Sequence, residues 1–208
     1  DMQSRSEAAP YHQVQDSLEF QLVRARLRAQ EGSPADAVAA ARNALKEKRY
    51  GSETAARYAL VTALVRARQF KEAEAEVQKL LASRPVAPMI QQVAAHVALT
   101  AGDEALALRR YQAGSAAHPG YRPLQYGHIG ALLAAGRNEA ALAQVERQLS
   151  LYPLDRRLWR LAAEAHAQLG HRLQSHRAQA EASALSGNLV AAIEQIRLGI
   201  KAGDGSFY

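Results

Sequence analysis

The sequence predicts an all-α fold built from helix–turn–helix repeats, and two regular spacings predict it. Proline recurs at a constant interval in the middle of the chain, at Pro85, Pro119 and Pro153. Glycine recurs at the same interval, half a period after each of these prolines, at Gly102, Gly136 and Gly170. Because proline lacks an N–H it ends a helix pair, and glycine supplies the backbone freedom needed between the two helices of a pair.

A fixed period of about 34 residues, the interval seen here, is typical of a tetratricopeptide (TPR) array. We therefore expect a right-handed superhelical solenoid of about eleven helices over residues 16–208, preceded by a polar tail or linker at 1–15. The expected units are the repeats 18–53, 54–87, 88–121, 122–155 and 156–187, followed by a closing helix at 189–202. Such an array predicts a scaffold that binds a partner.

The first repeat has clear boundary signals. Apolar residues follow one helical face from Leu18, and Asp16 or Ser17 is the expected N-cap. Gly32 breaks this pattern, and Pro34 suits the first position of the next helix. The segment 50–53 then adds a longer loop.

The later repeats keep the register with two departures. Ala73, Ala107 and Ala141 are equivalent, but Ser175 stands at this position in the fifth repeat. Arg68 replaces the glycine of the second repeat. We expect 171–186 to form one helix that serves both the fifth repeat and a final half-unit.

Composition and charge exclude several classes of protein. The chain has no cysteine, which excludes disulfides and thiol chemistry, and it has no apolar run of the roughly 18 residues that a membrane span needs. Its net charge of +6 comes from residues 105–180, which contain ten arginines but only four acidic residues. An acidic partner is therefore expected to bind in this part of the chain. Nucleic acid is not favoured as a partner because no Lys/Arg stripe with interleaved aromatic residues occurs. Because the chain begins with Asp1 rather than Met, we expect a piece of a longer protein.

No catalytic, cofactor or metal motif is present. The sequence lacks GxSxG, P-loop, GxGxxG and HExxH patterns, so we expect no enzyme activity, no cofactor and no metal in this chain. Among the seven histidines, His166 and His171 are five residues apart, about 140° out of phase if both lie on one helix.

The first helix of each repeat is expected to line the concave groove. Counting along the repeats predicts nine partner-binding residues, which are Arg26, Tyr58, Thr62, Arg66, Gln92, His96, Tyr126, Arg157 and Arg160. Tyr58, Gln92 and Tyr126 occupy equivalent positions, and two tyrosines among adaptable polar neighbours suit recognition of a peptide or protein segment. The alternative is that each tyrosine packs between adjacent repeats.

Arg156, Arg157 and Arg160 open a helix, where the helix dipole disfavours positive charge. This placement leads to the hypothesis that the cluster docks an acidic partner. The alternative is that Asp155 caps the helix and that Glu164 neutralises Arg160 four residues before it.

Two flanking segments of the array carry a family resemblance. These are Asp16-Ser17-Leu18-Glu19-Phe20 with the following Val23-Arg24-Ala25-Arg26-Leu27, and the stretch 180–196, which includes Ala191-Ala192-Ile193-Glu194-Gln195-Ile196. Together they resemble the C-terminal TPR region of bacterial BepA-like zinc metallopeptidases, from about residue 16 to Tyr208.

The resemblance implies a periplasmic parent protein with an N-terminal HExxH protease domain that acts in quality control of outer-membrane protein assembly. The TPR region of that family packs on its protease domain and contacts substrates and partners, and zinc belongs to the protease domain. An independent assembly scaffold in the envelope or cytosol is the alternative. Self-association through a terminal helix is also expected, because Ile193, Ile196 and Ile200 lie on one face.

Overall fold

The computed structural model describes residues 16–82 and 87–202, and these residues form eleven α-helices and no strand. The predicted all-α fold with eleven helices is confirmed. The expected tail at 1–15, together with Pro85 and residues 203–208, lies outside the described residues. The helices are α1 (Leu18–Arg28), α2 (Pro34–Lys46), α3 (Glu53–Arg66), α4 (Phe70–Ala82), α5 (Pro88–Thr100), α6 (Glu104–Ala117), α7 (Arg122–Ala134), α8 (Asn138–Leu151), α9 (Arg156–Gln168), α10 (Arg172–Ala184) and α11 (Leu189–Ala202).

The helices stack along the chain in the order in which they occur. Each odd-numbered helix from α1 to α7 packs on the next odd-numbered helix, and each even-numbered helix packs on the helix that follows it. Helix α11 packs on α10 at the end of the array. One apolar core cluster extends from α1 to α5, and a second extends from α5 to α10. This arrangement leaves the odd-numbered helices α1 to α9 in one continuous layer. None of the described helices has the length and apolarity that a membrane crossing requires.

Side-chain caps begin most of the helices where the sequence places polar residues. The Ser17 hydroxyl accepts a hydrogen bond from the Phe20 N–H at 3.2 Å, so Ser17 rather than Asp16 is the N-cap of α1. Ser33 caps α2, and Pro34 is its first residue, as predicted. Such caps satisfy backbone N–H groups that have no partner within the helix.

Seven of the turns between the described helices contain one residue with a positive φ. Glycines with positive φ end several helices, and these are Gly32, Gly102, Gly136, Gly170 and Gly187. Arg68 takes the glycine position of the second repeat with a φ of 57°, and Lys48 has a φ of 54° at the end of α2. A left-handed conformation is strained for a residue with a Cβ, so these two turns are locally less stable.

Small residues bring the helices close together. Ala73, Ala107 and Ala141 are fully buried at the equivalent position of three repeats. The serine that replaces alanine in the fifth repeat is also buried, and the Ser175 hydroxyl donates to the Ala163 carbonyl at 2.9 Å. That hydrogen bond removes the penalty of burying a lone hydroxyl, so Ser175 preserves the packing.

Candidate functional site

The layer of odd-numbered helices carries all nine residues predicted to bind a partner. We call the face of α1, α3, α5, α7 and α9 that carries them the groove face. Its two halves differ in character. In the first half the predicted residues are largely engaged in packing and in hydrogen bonds within the chain, whereas in the second half several charged side chains are exposed.

Tyr58 is a correction to the predicted site. Its side chain is 1% exposed in the core, so it packs between repeats, as the alternative interpretation held, and presents no surface to a partner. Burial raises the pKa of Tyr58 to about 12, and the nearby Arg26 opposes this shift. A phenol ring at this position fills the space between adjacent repeats, which sequence spacing alone could not show.

The neighbouring residues of α3 hold the array together. Arg66 donates to the carbonyl oxygens of Ala29 at 2.5 Å and Gly32 at 3.1 Å, which joins α3 to the turn after α1. The Thr62 hydroxyl donates to the Tyr58 carbonyl at 2.9 Å within α3. These contacts occupy polar groups that a partner would otherwise use.

Helix α5 contributes Gln92 and His96, which are half-buried. Burial lowers the pKa of His96, and the positive charge of Arg26 lowers it further. The same arginine also influences the pKa of Tyr121, which precedes α7. Arg26 is exposed and lies close enough to His96 and Tyr121 to influence both electrostatically.

A hydrogen-bonded cluster joins α7 to α9 in the second half of the groove face. The Tyr126 hydroxyl donates to the Asp155 carboxylate. Arg122 lies 3.2 Å from the same carboxylate, and the Arg157 guanidinium lies 4.6 Å from the centroid of the Tyr126 ring. We call these four residues the Tyr126–Asp155 cluster. It fixes the orientation of Tyr126 and Arg157 on the groove face.

The cluster shifts the pKa values of its members in opposite directions. Burial, followed by the hydrogen bond to Asp155, raises the pKa of Tyr126 to about 12. Burial alone would raise the pKa of Asp155, but the hydrogen bonds from Tyr126 and from the backbone N–H groups of Leu158 and Arg157 lower it overall. Both shifts favour a protonated tyrosine that donates to an ionised aspartate, which is the arrangement seen.

Both alternatives proposed for the arginine cluster can be compared with the structure. Asp155 does cap α9, because its carboxylate accepts from the backbone N–H of Arg157 at 2.9 Å and of Leu158 at 3.3 Å. The expected Arg160–Glu164 pair is not among the ion pairs that the described residues form. Arg156 and Arg160 likewise have no carboxylate partner within that part of the chain. Together with Arg157, Leu161 and Glu164, they line an open cavity of about 510 Å³.

Gly130 was not among the predicted binding residues, and the space around it is open. It lies one repeat period after His96 and one period before Glu164, so the repeat register places it on the groove face. A Cβ built on Gly130 would meet no atom within 4 Å. The repeat spacing could have identified this position. It was missed because only residues with side chains were predicted to bind a partner. The groove face therefore has free space at Gly130 in the fourth repeat.

Two of the histidines, His166 and His171, come together at the turn between α9 and α10. Helix α9 ends at Gln168 and α10 begins at Arg172, so His166 and His171 are not on one continuous helix. The turn between them places their Nδ1 atoms 3.4 Å apart. Burial lowers the pKa of His166, the proximity of His171 and Arg177 adds to this, and Glu146 opposes it. Within the described residues, no group of three or more His, Cys, Asp or Glu side chains could hold a metal ion.

Comparison with known proteins supports the repeat assignment. Residues 28–97 match the family model described as Tetratricopeptide repeat. A curated relative, the Beta-barrel assembly-enhancing protease of Yersinia pestis, is 31% identical over 141 residues. The match covers 68% of this chain but only 29% of that protease.

Solved structures with a similar fold cover most of the chain. The crystal structure of YrrB, a TPR protein with an unusual peptide-binding site, has a TM-score of 0.60 at 18% identity and covers 88% of this chain and 93% of YrrB. A structure of MamA from residue 41 to its end, from Desulfovibrio magneticus RS-1, has a TM-score of 0.57 at 14% identity, and the match covers 76% of this chain and 99% of that one. At this identity the likeness concerns the fold alone. The chain therefore has the tetratricopeptide repeat fold, and residues 28–97 carry the sequence pattern of that repeat.

Proposed function

We propose that this chain is a non-catalytic protein-interaction module that binds an acidic protein segment on the groove face at repeats four and five. One observation carries the proposal: Arg156 and Arg160 have no carboxylate partner among the described residues and line an open cavity beside the Tyr126–Asp155 cluster. Guanidinium groups bind carboxylates through paired hydrogen bonds, so these side chains suit an acidic ligand.

The Tyr126–Asp155 cluster holds the side chains on one side of the proposed site in fixed positions. Because Tyr126 is bonded to Asp155 and covered by Arg157, its ring loses little conformational freedom when a ligand binds. Arg122 and Asp155 already neutralise each other. The positive charge without an ion-pair partner among the described residues therefore lies on Arg156, Arg157 and Arg160, which line the same cavity.

At a finer level, we propose that the module is the partner-docking C-terminal region of a periplasmic metallopeptidase that acts in outer-membrane protein quality control. Support comes from the identity to the Beta-barrel assembly-enhancing protease of Yersinia pestis and from the flanking motifs described above. Docking on the parent's protease domain would then occur in cis, and zinc would belong to that domain. The alternative is a stand-alone TPR scaffold. A peptidase assay of this chain should show no activity with or without added zinc.

The acidic-ligand proposal is tested with paired charge reversals. The probe is a fluorescently labelled peptide that contains Glu and Phe, and its binding is followed by anisotropy at several salt concentrations. We expect Arg156→Glu with Arg160→Glu to weaken binding at least about tenfold and to reduce its salt dependence. The matched control is Arg109→Glu with Arg137→Glu, which makes the same charge change at exposed arginines that do not line the cavity. Equal weakening by both pairs would show a non-specific charge effect and overturn the proposal.

A further inference from the structure

The two histidines at the turn between α9 and α10 are a feature that groove binding does not use. The Nδ1 atoms of His166 and His171 are 3.4 Å apart, and their ring centroids are 5.7 Å apart with the planes inclined at 47°. His166 is half-buried on the last turn of α9, and His171 is exposed immediately before α10. The pair is therefore open to solvent on one side.

Backbone geometry fixes this proximity. The His171 N–H donates to the His166 carbonyl at 2.9 Å, and Gly170 has a φ of 79°. This is the hydrogen bond of a Schellman motif, in which the side chains on either side of the glycine turn come into contact. The equivalent bond in the fourth repeat joins Arg137 to Leu132 around Gly136. The fifth repeat thus uses a recurring turn to bring two imidazoles together.

The separation of the nitrogens suits a shared metal ion. Zinc binds histidine nitrogen at about 2.0–2.1 Å, so two imidazoles on a tetrahedral zinc ion have their nitrogens about 3.3–3.4 Å apart. The torsion between Cβ and the ring is broad for histidine, so rotation of each ring can direct both lone pairs toward one point. The alternative is that the two rings form a weak hydrogen bond with each other between the same two nitrogen atoms.

We propose that His166 and His171 bind one zinc ion through their Nδ1 atoms across the α9–α10 turn. Water molecules complete the coordination. Two charged side chains influence His166 electrostatically: the negative charge of Glu146 of α8 favours a cation at this place, and the positive charge of Arg177 of α10 opposes it more weakly. A bound ion would join the end of α9 to the start of α10 and so stabilise the turn.

The test uses zinc chloride alone as the probe and the whole chain as the protein. Isothermal titration calorimetry gives the affinity, and visible absorption of the cobalt-substituted protein reports tetrahedral coordination. We expect one equivalent of zinc to bind, with reversal by a chelator. His166→Gln and His171→Gln should each weaken binding by more than about tenfold, because loss of even an outer partner of a metal ligand commonly costs about 10–100-fold in affinity.

His118→Gln is the matched control, since His118 follows α6 and lies away from this turn in sequence. His171 makes no side-chain cap hydrogen bond, so its substitution leaves the start of α10 intact, and circular dichroism verifies folding of each variant. The proposal is overturned if zinc produces no heat, if the two variants bind as tightly as the original chain, or if the control loses as much affinity. In those cases the rings form a hydrogen-bonded pair only.

Discussion

Lys48 and Arg68 adopt backbone conformations that glycine adopts at five other inter-helix turns. Their φ values of 54° and 57° lie in the left-handed region. We expect Lys48→Gly to raise the free energy of unfolding by about 0.5–1 kcal/mol, because relief of left-handed strain of about 1–2 kcal/mol exceeds the entropic cost of glycine. Guanidinium denaturation monitored by circular dichroism measures the change.

The reverse substitution provides the control for the turn argument. Gly136 has a φ of 66°, and a Cβ there meets no atom within 4 Å, so any effect of Gly136→Ala comes from the backbone. We expect it to lower the free energy of unfolding by about 1 kcal/mol. A loss of stability in Lys48→Gly would contradict the prediction.

Helix α7 contains two glycines whose surroundings are opposite. A Cβ on Gly127 would lie 2.2 Å from Cε1 of the buried Tyr111, whereas one on Gly130 would meet nothing. We expect Gly130→Ala to stabilise the chain by up to about 1 kcal/mol through helix propensity, and Gly127→Ala to destabilise it by about 1–3 kcal/mol through overpacking. Thermal unfolding of the two single variants measures both effects. Equal stabilisation by both would show that α6 and α7 are not in close contact.

The start of α9 should respond to acid. The pKa of Asp155 is lowered in the folded chain, so its carboxylate contributes stability above its ordinary pKa near 3.8, and this contribution disappears as the pH falls through the lowered folded pKa. We expect Asp155→Ala to cost about 1–2 kcal/mol at neutral pH, as loss of an N-cap does, and to cost less in strong acid.

Denaturation of both proteins across an acid series measures this difference. Asp103→Ala is the control, because the Asp103 carboxylate accepts one backbone hydrogen bond, from Leu106, and caps α6 without a tyrosine partner. A difference between Asp155→Ala and the original chain that stays constant down to the lowest pH would refute the assignment.

At the scale of the whole molecule, α11 presents an apolar stripe. Leu189, Ile193, Ile196 and Ile200 recur at helical spacing and are 63%, 50%, 51% and 69% exposed. Repeat arrays expose apolar faces where they are uncapped. We therefore expect this chain, as an isolated 208-residue polypeptide, to associate with a second copy through α11.

Ile193→Lys together with Ile196→Lys should shift the sedimentation coefficient to that of a monomer, because charge on both stripes opposes their contact. The control replaces two other exposed residues, Leu151 and Leu154, with lysine. If the control pair reduces association as strongly, the effect comes from added charge and α11 is not the contact.

The features that the sequence predicted correctly are those that depend on one residue or on its near neighbours in the chain. Glycine and proline act on their own backbone, so the repeat register correctly predicted eleven helices and the turns at Gly102, Gly136 and Gly170. The cap by Asp155 was also predictable, since it involves residues two and three positions away. The left-handed backbone conformation of Lys48 could not be predicted, because lysine, unlike glycine, has no preference for that conformation.

The sequence by itself determined that this chain is an array of paired helices with an excess of arginine in its second half. Only the tertiary structure decided which of the predicted residues are exposed and which are buried. Tyr58 is buried because α3 packs against α1, α2, α4 and α5, whereas Arg156 and Arg160 remain exposed. The structure also brought His166 to His171, since a turn rather than a helix separates them. The exposure of a side chain and its distance from other side chains depend on the neighbouring helices and on the direction of each turn. The residue spacing within one helix carries no information about either.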